Sequence, residues 1–393
     1  MKKLLLASAA SVIAGTAAAE DVPIGVILGF TGPIESLTPH MAQSAELAME
    51  EMNESGNFLD GHTLVPVRAD STCIDSAAAT AAAERLITDD GIVAIMGADC
   101  SGVTGAVLSN VAVPNGIPMV SPSATSPALS TAEDNGLFFR TAPSDARQGG
   151  VIADILMDRG IEEVAVTYTN NDYGKGLADS FQASYEEMGG EVTLSAPHED
   201  GKADYSAEVG ALASAGGEVL AVFGYSDQGG KGIIRSALDT GAFDRFVMGD
   251  GMYGDELLAD LGQFMEGSFG AVPWSEGEGT EAFTALTEAA GVNGESSFTR
   301  ESYDAAALIG MAMMAGGEAT PEAVAANLMD VANAPGEEIL PGELGRALEI
   351  LAEGGEVDYV GASNVELIGP GEAAGTYREY DVTGSDYETV QFR

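Results

Sequence analysis

The chain has 393 residues, of which 62 are Asp or Glu and only 16 are Lys or Arg, a formal net charge of −46. A surface this acidic repels nucleic acid and anionic lipid headgroups, which excludes both as partners. An apolar content of 45% with 51 glycines fits a packed α/β protein with many tight turns and excludes a disordered chain.

Met1-Lys2-Lys3 is a short cationic start. The apolar run Leu4–Gly15 is too short to span a bilayer, and Ala17-Ala18-Ala19 supplies the small residues a signal peptidase needs. Residues 1–19 therefore read as a signal peptide cleaved after Ala19, which makes the mature protein periplasmic. No later apolar stretch approaches about 18 residues, so no membrane span is expected. Cys73 and Cys100 are the only cysteines. In an oxidising compartment they are expected to form a disulfide, with two buried free thiols as the alternative. His40, His62 and His198 lie far apart without ligand spacing, so no metal site and no cofactor is expected.

Buried-strand runs then alternate with Ala-rich helical stretches. Pro23–Leu28 reads as a strand, Met41–Glu54 as a helix, Leu64–Ala69 as a strand and Asp75–Thr88 as a helix. Strands Ile92–Met96 and Ile117–Val120 follow, with a helix from Ser101 between them. The pattern restarts with strand Glu163–Tyr168, helix Tyr173–Met188, strand Glu191–Ser195 and helix Asp204–Ala215. Strand Val219–Phe223, helix Gln228–Thr240 and strand Arg245–Met248 continue it. Helices are expected near Thr280–Ala290, Ser302–Ala315 and Pro321–Val331, and terminal strands over Tyr377–Phe392. Near-continuous apolar strands joined by helical crossovers predict parallel sheets covered on both faces. Two successive sets predict two doubly wound α/β lobes, with a ligand cleft beyond the carboxyl ends of their strands.

The residues at those strand ends carry chemistry. Gly97-Ala98-Asp99-Cys100-Ser101-Gly102 opens a helix, and Ser121-Pro122-Ser123-Ala124-Thr125-Ser126-Pro127 follows the fourth strand. Both offer hydroxyls and free backbone N–H groups where an anion is favoured, although ordinary capping by Ser101 and Ser123 accounts for either turn alone. The second half supplies Tyr173 at a helix start, Tyr225 after Val219–Phe223 and Asp250 after Arg245–Met248. One acid among aromatic rings suits an ammonium group, while packed aromatics and a capping Asp are the plainer alternative. Gly249-Asp250-Gly251-Met252-Tyr253-Gly254 spells a dinucleotide-binding motif, but Asp250 would face a pyrophosphate and the turn comes late in its half. No nucleophile elbow, metallohydrolase His pair or Walker loop occurs.

In its order of motifs the chain resembles the periplasmic branched-chain amino-acid-binding proteins, the type I substrate-binding proteins of ABC importers. Thr31-Gly32-Pro33, the Cys73/Cys100 pair, Cys100-Ser101, Ser121–Thr125, Asp172-Tyr173-Gly174, Gly224-Tyr225 and Gly249-Asp250-Gly251 carry the resemblance. It implies a monomeric, non-catalytic receptor that closes on a small ligand and docks on ABC permease subunits. It also implies that Ser101 and Thr125 bind an α-carboxylate, that Asp250 and the Ser123 carbonyl bind an α-ammonium, and that Tyr173 and Tyr225 close over the ligand. Three interlobe crossings are implied near Arg140, Pro273 and Gly371. Lobe 1 is then residues 20–141 and 274–370, and lobe 2 is residues 142–273 and 371–393. Leu37 stands where such proteins often carry an aromatic, and Asp99 where the leucine-type proteins place an apolar contact. Those departures keep open a polar or basic side chain, and a receptor of the same fold for an amide, urea or aromatic acid, in transport or sensing. A secreted hydrolase or dehydrogenase is the rival from another class.

Overall fold

Runs of Val, Ile, Leu, Met and Ala with no polar face can bury both sides of a strand only between helical layers. In the computed structural model, which describes residues 19–393, they assemble into two seven-stranded sheets. The expected signal peptide lies, up to residue 18, outside the described residues. From edge to edge the first sheet holds Leu367–Ile368, Glu372–Ala373, Phe138–Arg140, Met119–Ser121, Ala94–Gly97, Asp21–Leu28 and Thr63–Asp70. The second holds Asp386–Phe392, Tyr377–Thr383, Phe269–Pro273, Phe246–Met248, Val219–Phe223, Glu163–Thr169 and Glu191–His198.

The same winding occurs twice. In each sheet the first strand in the chain pairs in parallel with the second on one side and the third on the other, and the fourth and fifth continue in parallel. The reversal of strand order beside each first strand opens a crevice at the carboxyl ends. Each sheet is finished by late segments. Glu372–Ala373 joins the first in parallel, whereas Tyr377–Thr383 joins the second antiparallel. The chain therefore passes between the sheets three times, after Arg140, after Pro273 and after Ala373. The third passage lies beyond the expected Gly371 because Glu372 still pairs with Arg140 in the first sheet.

Helix Thr38–Ser55 lays Met41, Ala45, Ala48, Met49 and Met52 on helix Thr299–Gly316, whose residues Thr299 to Met314 are all buried. The Ser44 hydroxyl donates to Thr299 O at 2.6 Å and pins the two together. Strand Phe138–Arg140, helix Asp145–Asp158 and strand Phe269–Pro273 have no clear period in the sequence, whereas helix Leu344–Ala352 was missed although its buried Leu344, Ala347, Leu348 and Leu351 recur at helical spacing. Three- and five-residue strands are too short to show a period. Helix Asp145–Asp158 is masked by Gly149-Gly150, which lowers helix propensity. Its packing explains the glycine: a Cβ at Gly149 would stand 2.5 Å from Phe181 N, where the helix presses on Asp172–Glu187.

Cys73 and Cys100 are joined by a disulfide that ties the turn after Thr63–Asp70 to the turn after Ala94–Gly97 across a sequence separation of 27. Replacing both cysteines by serine is expected to lower stability by about 3–4 kcal/mol through the freed loop. Urea unfolding monitored by circular dichroism checks this; an unchanged midpoint would refute it.

Candidate functional site

The carboxyl ends of the first sheet are knitted together by one side chain. Gly97, at φ +129, lets the strand turn sharply; a Cβ there would meet Ile27 O at 2.2 Å. Asp99 follows and is buried. Its Oδ2 accepts the Gly29 N–H at 2.6 Å and its Oδ1 the Ser71 hydroxyl at 2.8 Å, so it joins the ends of three adjacent strands. Burial still pushes its carboxyl above the ordinary range, against the pull of those hydrogen bonds. The next turn is tied to the same place. The Ser123 hydroxyl donates to Asp99 O at 3.1 Å, and the Ser126 N–H donates to Ser101 Oγ at 3.0 Å. Beneath it Arg140 donates through Nη1 to Ala124 O and Ser126 O, both at 2.9 Å, and through Nη2 to Ser130 Oγ and the Glu372 carboxylate.

The facing wall comes from the second sheet. Asn171 caps helix Asp172–Glu187 by accepting the Gly174 N–H at 3.0 Å, which sets Tyr173 in the first turn. Tyr173 donates to Asp250 Oδ1 at 2.6 Å and accepts the Gly251 N–H at 3.0 Å. Tyr225 stacks on Tyr173 with ring centroids 5.3 Å apart, and Asn171 Nδ2 donates to its hydroxyl at 3.2 Å. The glycines around Asp250 serve packing: a Cβ on Gly251 would stand 2.6 Å from Gly224 O and 2.9 Å from Tyr173 Oη. Burial pushes the Asp250 carboxyl up to about 6, and the Tyr173 hydrogen bond opposes it.

These walls enclose a narrow cavity of about 30 Å³. Asp99, Ser101, Ser123, Tyr173, Tyr225, Asp250 and Gly251 contribute polar lining, and Ile34, Leu37, Met41, Cys100 and Phe298 apolar lining. The expected residues Leu37, Ser101, Ser123, Tyr173, Tyr225 and Asp250 thus share one cavity. Thr125 does not line it, but is buried with its hydroxyl unpartnered. Ile34, Met41 and Phe298 were missed from the sequence. Met41 lies four residues after Leu37 on the same helix face, a spacing that could have found it. Phe298 carried no local signal, since its left-handed φ of 61° is a property of the folded chain. At the rim Ser36 donates through N–H and hydroxyl to the Asp227 carboxylate, both at 2.9 Å, and Asp227 N–H donates to Pro33 O at 3.1 Å. The lobes are therefore closed on each other.

A wider depression beside Lys202, Lys231 and Arg235 is open surface whose cations pair with Glu208 and Asp260. Among the described residues no group of three His, Cys, Asp or Glu has the geometry to hold a metal ion, and no helix is long and apolar enough to cross a membrane.

Comparison with known proteins agrees with this geometry. A family described as "Periplasmic binding protein" matches residues 21–346. "Leu/Ile/Val-binding protein homolog 3" of Brucella melitensis is 35% identical over 268 residues, covering 67% of this chain and 70% of that protein. The branched-chain amino acid transporter substrate-binding protein of Streptococcus pneumoniae, solved in complex with isoleucine, superimposes with a TM-score of 0.77 at 22% identity, covering 94% of this chain and 99% of that one. A solute-binding protein of an ABC transporter from R. palustris, solved with 4-hydroxybenzoate, gives a TM-score of 0.74 at 19% identity, covering 95% and 97%.

Arg140→Ala would take the guanidinium from the Ala124 and Ser126 carbonyls and the cation from Glu372, leaving Ser126 O only the Leu129 N–H and Glu372 only the Ser130 hydroxyl. It is expected to cost about 3 kcal/mol or more in urea unfolding. A loss below about 1 kcal/mol would show that the guanidinium does not hold the turn.

Proposed function

We propose that this chain, which belongs to the periplasmic binding protein family, captures a free α-amino acid with an aliphatic side chain and presents it to an ATP-driven importer. It is a substrate-binding protein of the ABC-transporter type and not an enzyme, like its relatives and structural neighbours. The observation that carries the ligand reading is that one interlobe cavity is lined both by hydroxyl and carboxylate groups and by apolar side chains.

In this reading the Ser101 hydroxyl receives the α-carboxylate, while Asp250 and the Ser123 carbonyl receive the α-ammonium; Thr125, buried outside the cavity lining, keeps no ligand role. Charge-assisted bonds of this kind are the strong ones in a dry cleft. Tyr173 orients the Asp250 carboxylate by its hydrogen bond, and its ring forms a wall with Tyr225. Ile34, Leu37, Met41 and Phe298 receive the side chain. Asp99 argues for an aliphatic side chain over a basic one, since both its oxygens are already committed to Gly29 and Ser71. The name of the Brucella relative points the same way. An aromatic acid such as 4-hydroxybenzoate has no cation to offer Asp250, which disfavours that alternative.

Capture would proceed by hinge closure. Segments 141–144, 274–277 and 374–376 join the lobes and act as hinges, and the Ser36–Asp227 contact latches the closed form. Export through residues 1–19, work as a monomer and docking on permease subunits belong to the same proposal, and the disulfide suits an oxidising compartment.

In a thermal-shift screen of the whole chain, leucine, isoleucine and valine are expected to raise the melting temperature, and lysine and 4-hydroxybenzoate are not. Asp250→Ala should weaken leucine binding at least about tenfold in calorimetry; unchanged binding would remove the ammonium assignment. The sign of the pH effect follows from the raised carboxyl. With Asp250 titrating at about 6 in the empty site, acid removes the charge that the ligand ammonium needs. Affinity for leucine should hold above pH 7 and be about tenfold weaker at pH 5. A flat profile between these values would exclude a titrating carboxylate in the site.

A further inference from the structure

Helix Asp172–Glu187 belongs to the second lobe, yet it meets helix Ser101–Val107 and the turn Pro127–Thr131 of the first across the cleft. Gly176 lies at that meeting, half-buried in the second turn of the helix. Its backbone is helical, so conformation alone does not call for glycine there. Glycine in a helix interior costs stability relative to alanine, so its presence needs another reason. The reason stands across the cleft. A Cβ on Gly176 would lie 2.8 Å from Pro127 Cδ and 3.2 Å from Ser126 Oγ. Gly174, two residues earlier, differs, because a Cβ there would collide with Thr169 O inside its own lobe. Gly174 serves the fold, whereas the atoms that crowd position 176 belong to the other lobe.

Neither side of this contact can yield by itself. Pro127 Cδ is a ring atom bonded to the backbone nitrogen, not the end of a flexible side chain. Ser126 is held at both ends, since its N–H donates to Ser101 Oγ at 3.0 Å and its carbonyl accepts from Arg140 at 2.9 Å. On the other side the helix is pressed against helix Asp145–Asp158 at Gly149 and tied by Tyr173 to Asp250. A side chain at position 176 would therefore be accommodated by the lobes standing further apart. Tyr173 precedes Gly176 by three residues and shares its face of the helix. The contact thus stands one hydrogen bond from the Ser101 wall of the cavity and one turn from the Tyr173 wall.

We propose that Gly176 is the closing stop of the cleft, a positioning residue whose missing side chain lets both walls reach one ligand. This rests on the reading of the chain as a receptor that closes on an amino acid. Seated on Ser126-Pro127, the helix sets how far the lobes close and so how narrow the cavity is. A larger residue at 176 leaves each lobe intact but holds Tyr173 and Asp250 back from Ser101 and Ser123. The ligand then docks on one wall without being covered by the other.

The test measures L-leucine binding to the full chain, to Gly176→Ala, Gly176→Leu and Pro127→Ala, and to the double variant Gly176→Ala/Pro127→Ala. Calorimetry gives each affinity, and circular dichroism gives the melting temperature of each ligand-free chain. Alanine and leucine are good helix formers, so both variants at 176 should melt at or above the wild-type temperature. Affinity for leucine is expected to fall at least about tenfold in Gly176→Leu and less in Gly176→Ala, mainly through faster dissociation. Removing Pro127 Cδ should relieve the clash, so that the double variant binds within about threefold of Pro127→Ala. Wild-type affinity in Gly176→Leu would overturn the proposal. A loss that Pro127→Ala does not relieve, or one matched by a lower melting temperature, would place the fault inside the second lobe and overturn it too. If Gly176→Leu does not fold, Gly176→Ala and its rescue decide. A wild-type chain that binds no amino acid overturns the parent reading and this one with it, before any variant is compared.

Discussion

The buried guanidinium of Arg140 is the interaction on which the rest of the site depends. A planar cation with five donors can hold two carbonyls, a hydroxyl and a carboxylate at once, four contacts where an ammonium has three donors. Here it holds the Ala124 and Ser126 carbonyls on either side of Thr125 and so shapes the turn that faces the second lobe. Through Glu372 it also ties the strand before the first interlobe passage to the strand before the third. The wall of the cleft and two of the interlobe passages therefore share one anchor. In a chain with 16 basic residues against 62 acidic ones, burying a base is a costly commitment, and it is made where the site is built.

The acids of the site differ in role because they differ in partners. Asp99 spends both oxygens on Gly29 and Ser71 and acts as a stitch between strand ends. Asp250 has one oxygen held by Tyr173 and lines the cavity. Asp304 accepts from Tyr359, Ala362 and Ser363 and fixes the loop after Val357–Tyr359 to helix Thr299–Gly316. Burial raises the carboxyl of each, and the number of donors around it decides how far that rise is opposed.

The proposed closure needs lobes that meet firmly at the rim yet pivot freely at the passages between them. The Ser36–Asp227 contact is short and directional, so opening must break it. At the second passage the only tryptophan, Trp274, lies between two guanidinium groups, Arg300 and Arg378, each 3.7 Å from its ring centroid. Arg300 starts a helix packed on the first sheet and Arg378 lies in the second, so the stack spans both lobes. Stacking tolerates sliding better than a hydrogen bond does, which suits a pivot.

Much of this was legible in the residues alone. Unbroken apolar strand runs alternating with Ala-rich helices can satisfy their backbone only as covered parallel sheets, and the restart of the pattern at Glu163 fixed the number of lobes. The strand-end positions of Ser101, Ser123, Tyr173, Tyr225 and Asp250 followed from the same logic, because such ends converge on a crevice. The short strands Phe138–Arg140 and Glu372–Ala373 were not legible, since two or three residues carry no period and their pairing joins parts of the chain far apart. Nor were the uses of the acids. Asp99, Asp145 and Asp250 are the same residue type at comparable turns, and a one-dimensional pattern holds no record of which oxygens find donors. Only the tertiary structure decided that Asp99 would be saturated and Asp145 left bare, because hydrogen bonding and desolvation are set by neighbours in space rather than along the chain.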